Sequence, residues 1–287
     1  MPHFAAREAI PYATPLHLFG AGHPLTMALA VALGCDTFDS ASYIIFARGG
    51  RYMTNGGIMT LDTMKYLPCS CRTCAKTTVG ELLELPFAER TQRLATHNLN
   101  ILLQELKASK EAISEGRLWD LVEERCMAHP RLREAFAELA KVSKNLALGT
   151  PALKNKGLFV RSDLDLARPE LVIASKKLKG ALKRSSRNAI IFSSADAPEG
   201  TKSKGSSADS YVVHPVLGTY PSELKFQYPF GQTEVAFTEK GVSVEESRKR
   251  LKGLGYRKIV FRGERTKSRR SHRGAYPSAR GASARSR

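Results

Sequence analysis

Cys69-Ser70-Cys71-Arg72-Thr73-Cys74 gathers three thiols in one short segment, and His97 follows on a stretch with helical spacing. Three soft thiolates and one imidazole suit Zn2+ in a closed tetrahedral site, and a closed site is structural, not catalytic. Such a metal clamps a loop onto a helix. The competing reading is that His97 only caps or packs at its helix start. A second candidate for chemistry is Asp39, in the segment Thr37-Phe38-Asp39-Ser40. A carboxylate at a strand end can attack a sugar C1′ and form a covalent glycosyl intermediate that a second group displaces. The plainer alternative is that Asp36 and Asp39 cap or hydrogen-bond the strand-end loop.

These residues must be positioned by β/α units. Residues 15–19 predict a short buried strand, broken by Gly20-Ala21-Gly22-His23-Pro24. Pro24 can open a helix because its missing N–H would be unpaired there anyway, and Leu25 to Leu33 continues it to Gly34. A second short strand follows at Thr37 to Ser40. Strand, glycine loop, helix and strand belong to a parallel sheet, and in barrels of this type the chemistry sits at the C-terminal ends of strands. Tyr43 to Phe46 and Arg51 to Thr54, flanking Gly49-Gly50, predict a hairpin leading to the cysteines. From Thr96 the pattern turns helical: Leu99, Leu102, Leu103 and Leu106 share a face, His97 lies in the first turn, and the helix ends near Gly116. Two more helices follow, one with Leu118, Leu121 and Val122, the other after His129-Pro130 with Leu132, Phe136 and Leu139. Trp119 reads as a packing residue.

With 287 residues the chain can bury a sizeable core in one or two domains. Its 45 Lys+Arg against 27 Asp+Glu give a formal net charge of +18. That excess favours a polyanionic partner, nucleic acid first, through long-range attraction and counterion release. No run of about eighteen apolar residues suggests a membrane span. The N-terminal residues do not read as a secretory signal, so a cytoplasmic location is expected. Cys35 and Cys126 read as small buried apolar residues.

Periodicity fades near Thr150-Pro151. The expected domains are 1–150, which carries the zinc site, 151–263, a small α/β domain, and 264–287, a basic tail too polar to fold. In the second, Ser-, Lys- and Arg-rich sequence surrounds an Ala189-Ile190-Ile191-Phe192 strand. His214 to Phe237 reads as irregular but packed. Val244 to Leu254 predicts a helix ending at Gly255, and Ile259-Val260-Phe261 a strand.

Four segments, taken together, resemble one family: His17-Leu18-Phe19-Gly20-Ala21-Gly22-His23-Pro24, Gly34-Cys35-Asp36-Thr37-Phe38-Asp39-Ser40, Pro68-Cys69-Ser70-Cys71-Arg72-Thr73-Cys74 and His97-Asn98-Leu99. They look like the C-terminal half of an archaeal-type tRNA-guanine transglycosylase. The resemblance runs from about residue 1 to about 150. Beyond it, Phe192, Pro215 and Tyr228-Pro229-Phe230-Gly231-Gln232-Thr233-Glu234-Val235 resemble the domain that follows the barrel in archaeal members.

The resemblance implies an α/β fold: the C-terminal part of a TIM-type (β/α)8 barrel with an inserted zinc-binding subdomain, then a small α/β domain. It implies a pentosyltransferase that exchanges guanine in the tRNA D-loop for 7-cyano-7-deazaguanine, toward archaeosine. By motif, Asp39 matches the nucleophile, Cys69, Cys71, Cys74 and His97 match the zinc ligands, and Phe19, Gly20 and Gly22 match a wall of the base pocket. The resemblance therefore favours the catalytic reading of Asp39. Only the last two barrel strands are recognisable, and the second active-site Asp of the family is missing with the others. The expectation is a split enzyme whose N-terminal strands come from a separate polypeptide, with a truncated fragment as the alternative. The zinc region is also a candidate for dimer contacts. Retention of Asp39 argues against the alternative role of a noncatalytic tRNA-binding scaffold.

Overall fold

The computed structural model describes residues 2–151, 153–154, 157–193, 207–236 and 241–263. The basic tail lies outside the described residues. The chain is a mixed α/β protein. It opens with α1 (Pro2–Ala9), which the sequence pattern did not announce, then β1 (His17–Leu18), α2 (Pro24–Ala32) and β2 (Thr37–Phe38). The two strands pair in parallel, His17 opposite Thr37 and Leu18 opposite Phe38. Pro24 sits in the first turn of α2 and His23 Nδ1 accepts from the Leu25 N–H, so the His-Pro pair caps and starts the helix together. Gly34 takes φ 90° just past its end. The expected strand at 15–19 is shorter than predicted and not buried: Phe19 is 83% exposed. Its physical reason is topological, since β1 has β2 as its one strand neighbour among the described residues.

The predicted Tyr43–Phe46 hairpin arm is instead α3 (Ser42–Arg48), and the hairpin joins β3 (Arg51–Thr54) to β4 (Gly57–Thr60) with Thr54 opposite Gly57. Asn55-Gly56 fills the two-residue loop, the dipeptide that best suits a tight hairpin turn. α3 wins over the strand because Tyr43, Ile44 and Ala47 form one apolar stripe in the core they share with Leu94 and Ala95.

α4 (Val79–Glu84) is opened by a capping box between Thr78 and Glu81. α5 runs from Phe87 to Ser114. It begins a full two turns before the Thr96 start read from the leucines, because Thr91, Leu94 and Ala95 already form its buried stripe. Leu102 is buried and Leu106 partly so, whereas Leu99 and Leu103 are exposed, so the face turns on Ile101 and Leu102. α6 (Leu118–Cys126), α7 (Pro130–Lys141) and α8 (Ser143–Leu146) follow. Trp119, Val122, Cys126, Phe136 and Leu139 pack with Ala28 and Leu29 of α2 and with Leu33 just past its end, so the packing role read for Trp119 holds. Cys35 and Cys126 are both buried.

The remaining elements are β5 (Leu158–Val160), α9 (Pro169–Ala181), β6 (Asn188–Ser193), β7 (Ala208–His214), β8 (Gly218–Pro221), β9 (Thr233–Val235), α10 (Val244–Gly253) and β10 (Lys258–Arg262). A four-stranded sheet runs β10-β6-β7-β8, parallel except for β7 against β8, and β5 pairs with β9. α9 packs on one face through Leu171, Ala174 and Leu178 against Val212 and Tyr220. Leu251 of α10 covers Ala189, Ile191 and Tyr211 on the other. Ion pairs cross the predicted boundary at 150: the Arg168 guanidinium, 1% exposed, grips both Asp120 oxygens at 2.9 and 3.1 Å. Trp119 Nε1 donates to Asp165 at 2.8 Å. Among the described residues no helix is long and apolar enough to cross a membrane.

Candidate active site and metal centre

The β1–β2 pairing carries the Gly20 loop and Asp39 to the same strand ends. Gly20, at φ 71°, turns the chain so that its N–H donates to Asp39 Oδ1 at 2.8 Å. His17 Nε2 lies 3.4 Å from the same oxygen, with both side chains half exposed, while His17 Nδ1 meets Thr37 Oγ1 at 2.8 Å. Asp36 plays a different part. Its Oδ2 accepts from the Leu16 N–H at 2.7 Å and ties the entry to β1. The two aspartates that the capping alternative treated alike are thus separated, Asp36 closing a backbone turn and Asp39 standing at the strand mouth. Asp39 also bonds locally, so the capping alternative describes part of what it does.

Gly22 is close-packed: a Cβ there would lie 2.1 Å from Ser40 Oγ and 2.3 Å from Ser42 Oγ. Ser42 Oγ donates to the Gly22 carbonyl at 2.6 Å, joining the glycine loop to the start of α3. Phe19, which precedes the loop, is exposed to solvent. The structure therefore brings Gly20 against Asp39 and Gly22 against Ser40, and leaves Phe19 exposed. His17 was missed as a neighbour of Asp39 because parallel pairing between distant strands has no local signal.

The four predicted metal ligands converge. One ligand atom from each of Cys69, Cys71, Cys74 and His97 lies within 4.8 Å of the others. His97 Nδ1 is 3.6 Å from Cys71 Sγ and 3.4 Å from Cys74 Sγ. Tetrahedral zinc with bonds of about 2.1–2.3 Å has ligand–ligand edges of roughly 3.5–3.8 Å, so these separations suit it. The other ring nitrogen is committed: Nε2 is 2.9 Å from the Met53 carbonyl, which fixes the proton there and leaves Nδ1 free to ligate. The Tyr52 ring stacks on the imidazole with centroids 3.7 Å apart, and its hydroxyl is 3.2 Å from Cys74 Sγ.

The electrostatics suit a cation. Burial pushes the Cys74 thiol up to about 12, against the pull of the Tyr52 hydroxyl and with the Cys71 and Cys69 sulfurs adding to the rise. For Cys71 burial acts upward too, but hydrogen bonds from Cys74 and Thr73 outweigh it and hold the thiol below its usual value. Burial lowers His97, against the Met53 carbonyl, and so keeps the imidazole neutral, the form that binds metal. A divalent cation replaces the thiol protons and removes the repulsion between the sulfurs.

His97 lies well inside α5, not in its first turn, so the alternative of a helix cap is excluded. Its neighbour Asn98, fully buried, reaches the other way: Oδ1 accepts from the Met53 N–H at 2.9 Å, and Nδ2 donates to the Tyr43 and Arg51 carbonyls at 3.1 and 3.0 Å. One amide thus joins the metal helix to β3 and to α3, whose first residue holds Gly22. Tyr52 and Asn98 were missed as site residues. The adjacency of Asn98 to His97 was the available signal.

Comparison with known proteins adds a separate line. Residues 4–131 match the family described as Queuine tRNA-ribosyltransferase. The tRNA-guanine(15) transglycosylase of Saccharolobus solfataricus is 38% identical over 244 residues, 81% of this chain and 48% of that protein. The one from Sulfolobus acidocaldarius is 36% identical over 238 residues, 82% and 48% of the two chains. The one from Thermococcus kodakarensis is 40% identical over 220 residues, 77% and 34%. The chain spans about half the length of the first two relatives and about a third of the last.

Proposed function

We propose that this chain, whose residues 4–131 match the Queuine tRNA-ribosyltransferase family and which is similar to archaeal tRNA-guanine(15) transglycosylases, carries the nucleophile of a guanine-exchanging pentosyltransferase acting on tRNA. The observation that carries it is the pairing of Gly20 with Asp39 at the mouth of β1 and β2. With Oδ1 tied to the loop, Oδ2 is the oxygen left to attack C1′ of the target nucleotide. The new C1′–O bond forms as the C1′–N9 bond breaks, and guanine leaves with that electron pair. The incoming base then attacks C1′ through its own nitrogen, giving up that nitrogen's proton in balance with the one that departing guanine takes up, and releases Asp39 as a carboxylate. The Gly20 N–H steadies the carboxylate for both displacements, and close-packed Gly22 lets the loop lie against Ser40 so that a planar base can slide beside Phe19.

In the archaeal-type reading the target is a guanine of the D-loop and the incoming base is 7-cyano-7-deazaguanine. The names of the relatives, all tRNA-guanine(15) transglycosylases, support guanine as the target, and the incoming base follows from the motif resemblance alone. Cys69, Cys71, Cys74 and His97 would hold zinc, which would supply shape to this part of the chain rather than take part in the exchange. Exposed Phe19 and the open sides of the β1–β2 pair call for further (β/α)8 barrel strands, in the split reading supplied by a separate polypeptide. Those strands would bring the second carboxylate of the family and the rest of the pocket.

The test pairs this chain with the N-terminal part of an archaeal relative and follows loss of labelled guanine from tRNA. Exchange that is abolished by Asp39→Asn, with a chain–tRNA adduct seen by intact mass for the parent protein, is the expected result. Undiminished exchange in Asp39→Asn would sink the assignment.

A further inference from the structure

β6, β7 and β10 run parallel, so their N-terminal ends share one end of the four-stranded sheet. Two loops meet there, the one entering β6 after α9 and the one entering β10 after α10. They are stitched together: the Arg257 N–H donates to the Arg187 carbonyl at 2.9 Å, and Arg184 donates to the Gly255 carbonyl at 2.6 Å. Beneath them Asp209, 2% exposed, accepts from the Ser185 and Ser186 N–H groups at 2.7 and 2.9 Å and from the Tyr256 hydroxyl at 2.5 Å. Tyr256 in turn bonds Tyr211 at 2.8 Å. A buried carboxylate thus fixes both loops, and what they present outward is one sign of charge.

Lys179, Lys183, Arg184, Arg187, Arg257 and Lys258 are all exposed. No Asp or Glu occurs from residue 175 to 193 or from 248 to 262. The acidic side chains of α10, Glu245 and Glu246, lie in its first turn, at the far end of the helix from this rim. Basic residues near helix C-termini favourably meet the dipole, but one or two suffice for that. Here they continue past both helices into loops and onto β10.

We infer that this rim is an RNA-backbone contact, separate from the nucleotide exchange site, in which the Lys and Arg side chains neutralise successive phosphates of a structured RNA. It rests on the reading of tRNA as the substrate. The rim lies in the part of the chain that follows the matched family segment. Pinned loops spare the backbone's share of the ordering cost, and phosphate contacts position an RNA without reading its sequence.

The experiment measures binding of the full chain to fluorescent tRNA by anisotropy over a salt series. It compares the parent with Arg187→Glu/Arg257→Glu/Lys258→Glu and with an equal charge change elsewhere, Lys107→Glu/Lys110→Glu/Arg133→Glu. The rim variant is expected to bind at least tenfold more weakly, with a shallower slope of log K against log salt. The control is expected to lose no more than about twofold, the residual long-range effect of net charge. The neutral set Arg187→Gln/Arg257→Gln/Lys258→Gln, checked by circular dichroism, gives the same ordering should the reversed charges disturb folding. Equal losses in rim and control variants overturn the rim. So does association with anionic phospholipid vesicles in flotation without tRNA binding. Guanine exchange is scored apart: a failed Asp39 assay leaves the rim standing, and an ineffective rim variant leaves Asp39 standing.

Discussion

Gly20 and Asp39 are joined by a 2.8 Å hydrogen bond from backbone N–H to carboxylate, and among the described residues that bond is the one link between the glycine loop and the end of β2 that involves a candidate catalytic group. An isosteric amide at position 39 keeps an acceptor oxygen for Gly20 while removing the negative charge that attacks. Asp39→Asn is therefore expected to lower exchange by about 1,000-fold or more. Because the side chain is half exposed, the unfolding free energy in urea is expected to shift by no more than about 0.5 kcal/mol. A fall in activity matched by a comparable fall in stability would return Asp39 to a turn-closing role.

Tyr52 would act on a bound metal through Cys74. Tyr52→Phe keeps the ring stacked on His97 but deletes the hydroxyl 3.2 Å from the Cys74 sulfur. Zinc affinity, read by competition with a chromophoric chelator, is expected to drop about 10-fold, in the range found for groups that support a ligand without touching the metal. Elemental analysis of the parent protein is expected to give one zinc per chain, and chelation to lower its melting temperature before any loss of RNA binding at the basic rim. Unchanged melting after verified metal removal would contradict a structural clamp.

The Asp120–Arg168 pair holds the helical layer to the segment after residue 150. Burial works against the Asp120 carboxylate, yet the bonds and charge of Arg168 dominate and hold it below the usual carboxylate range. A depressed carboxylate contributes stability that is present above its unfolded value of about 3.9 and is lost as pH falls through the lower folded value. Acid unfolding should steepen there. Arg168→Met, which leaves Asp120, Asp165 and Glu170 without their shared cation, is expected to cost about 3–5 kcal/mol in urea unfolding. A cost under about 1 kcal/mol would show that the pair does not bind the two parts.

His214 supplies a second pH dependence. Burial lowers its pKa, and its Nδ1 accepts from the Val216 and Leu217 N–H groups at 3.2 Å each. The neutral form is the one that folds, so its stabilisation is complete above about 6.5 and declines as pH falls through the depressed folded value. His23 and His97 are lowered as well, so the informative quantity is a difference. Between about pH 7.5 and 5.5 the parent should lose more melting temperature than His214→Asn, whose side-chain oxygen still accepts from the loop but does not titrate. Parallel losses would assign the slope to the other histidines.

What the sequence disclosed follows the reach of each interaction. The metal ligands were legible because soft ligands at short spacing carry their chemistry with them, and Pro24, Gly34 and Gly255 marked element ends by backbone preference alone. The hairpin was misplaced although Asn55-Gly56 advertised it, since the apolar run at Tyr43 to Phe46 satisfies a strand and a short buried helix equally well. α5 was cut short because the leucines after Thr96 outweighed Thr91, Leu94 and Ala95. His17 beside Asp39, Arg168 on Asp120 and Asp209 under two loops depend on pairings between remote segments, which residue type and spacing do not encode.

Asn98 also sets which lengths of chain are negotiable. Its amide meets Tyr43, Arg51 and Met53 at once, and a single residue inserted in α5 between Asn98 and the stripe at Leu94 would rotate it by about 100°, away from all three. Insertions and deletions should be refused from Ser42 to Thr54 and from Leu94 to Asn98. They should be accepted in the turn around Tyr66, which is 83% exposed. The segments Ser42 to Thr54 and Leu94 to Asn98 thus form a fixed gauge between the glycine loop and α5, and homologues are expected to keep those two lengths.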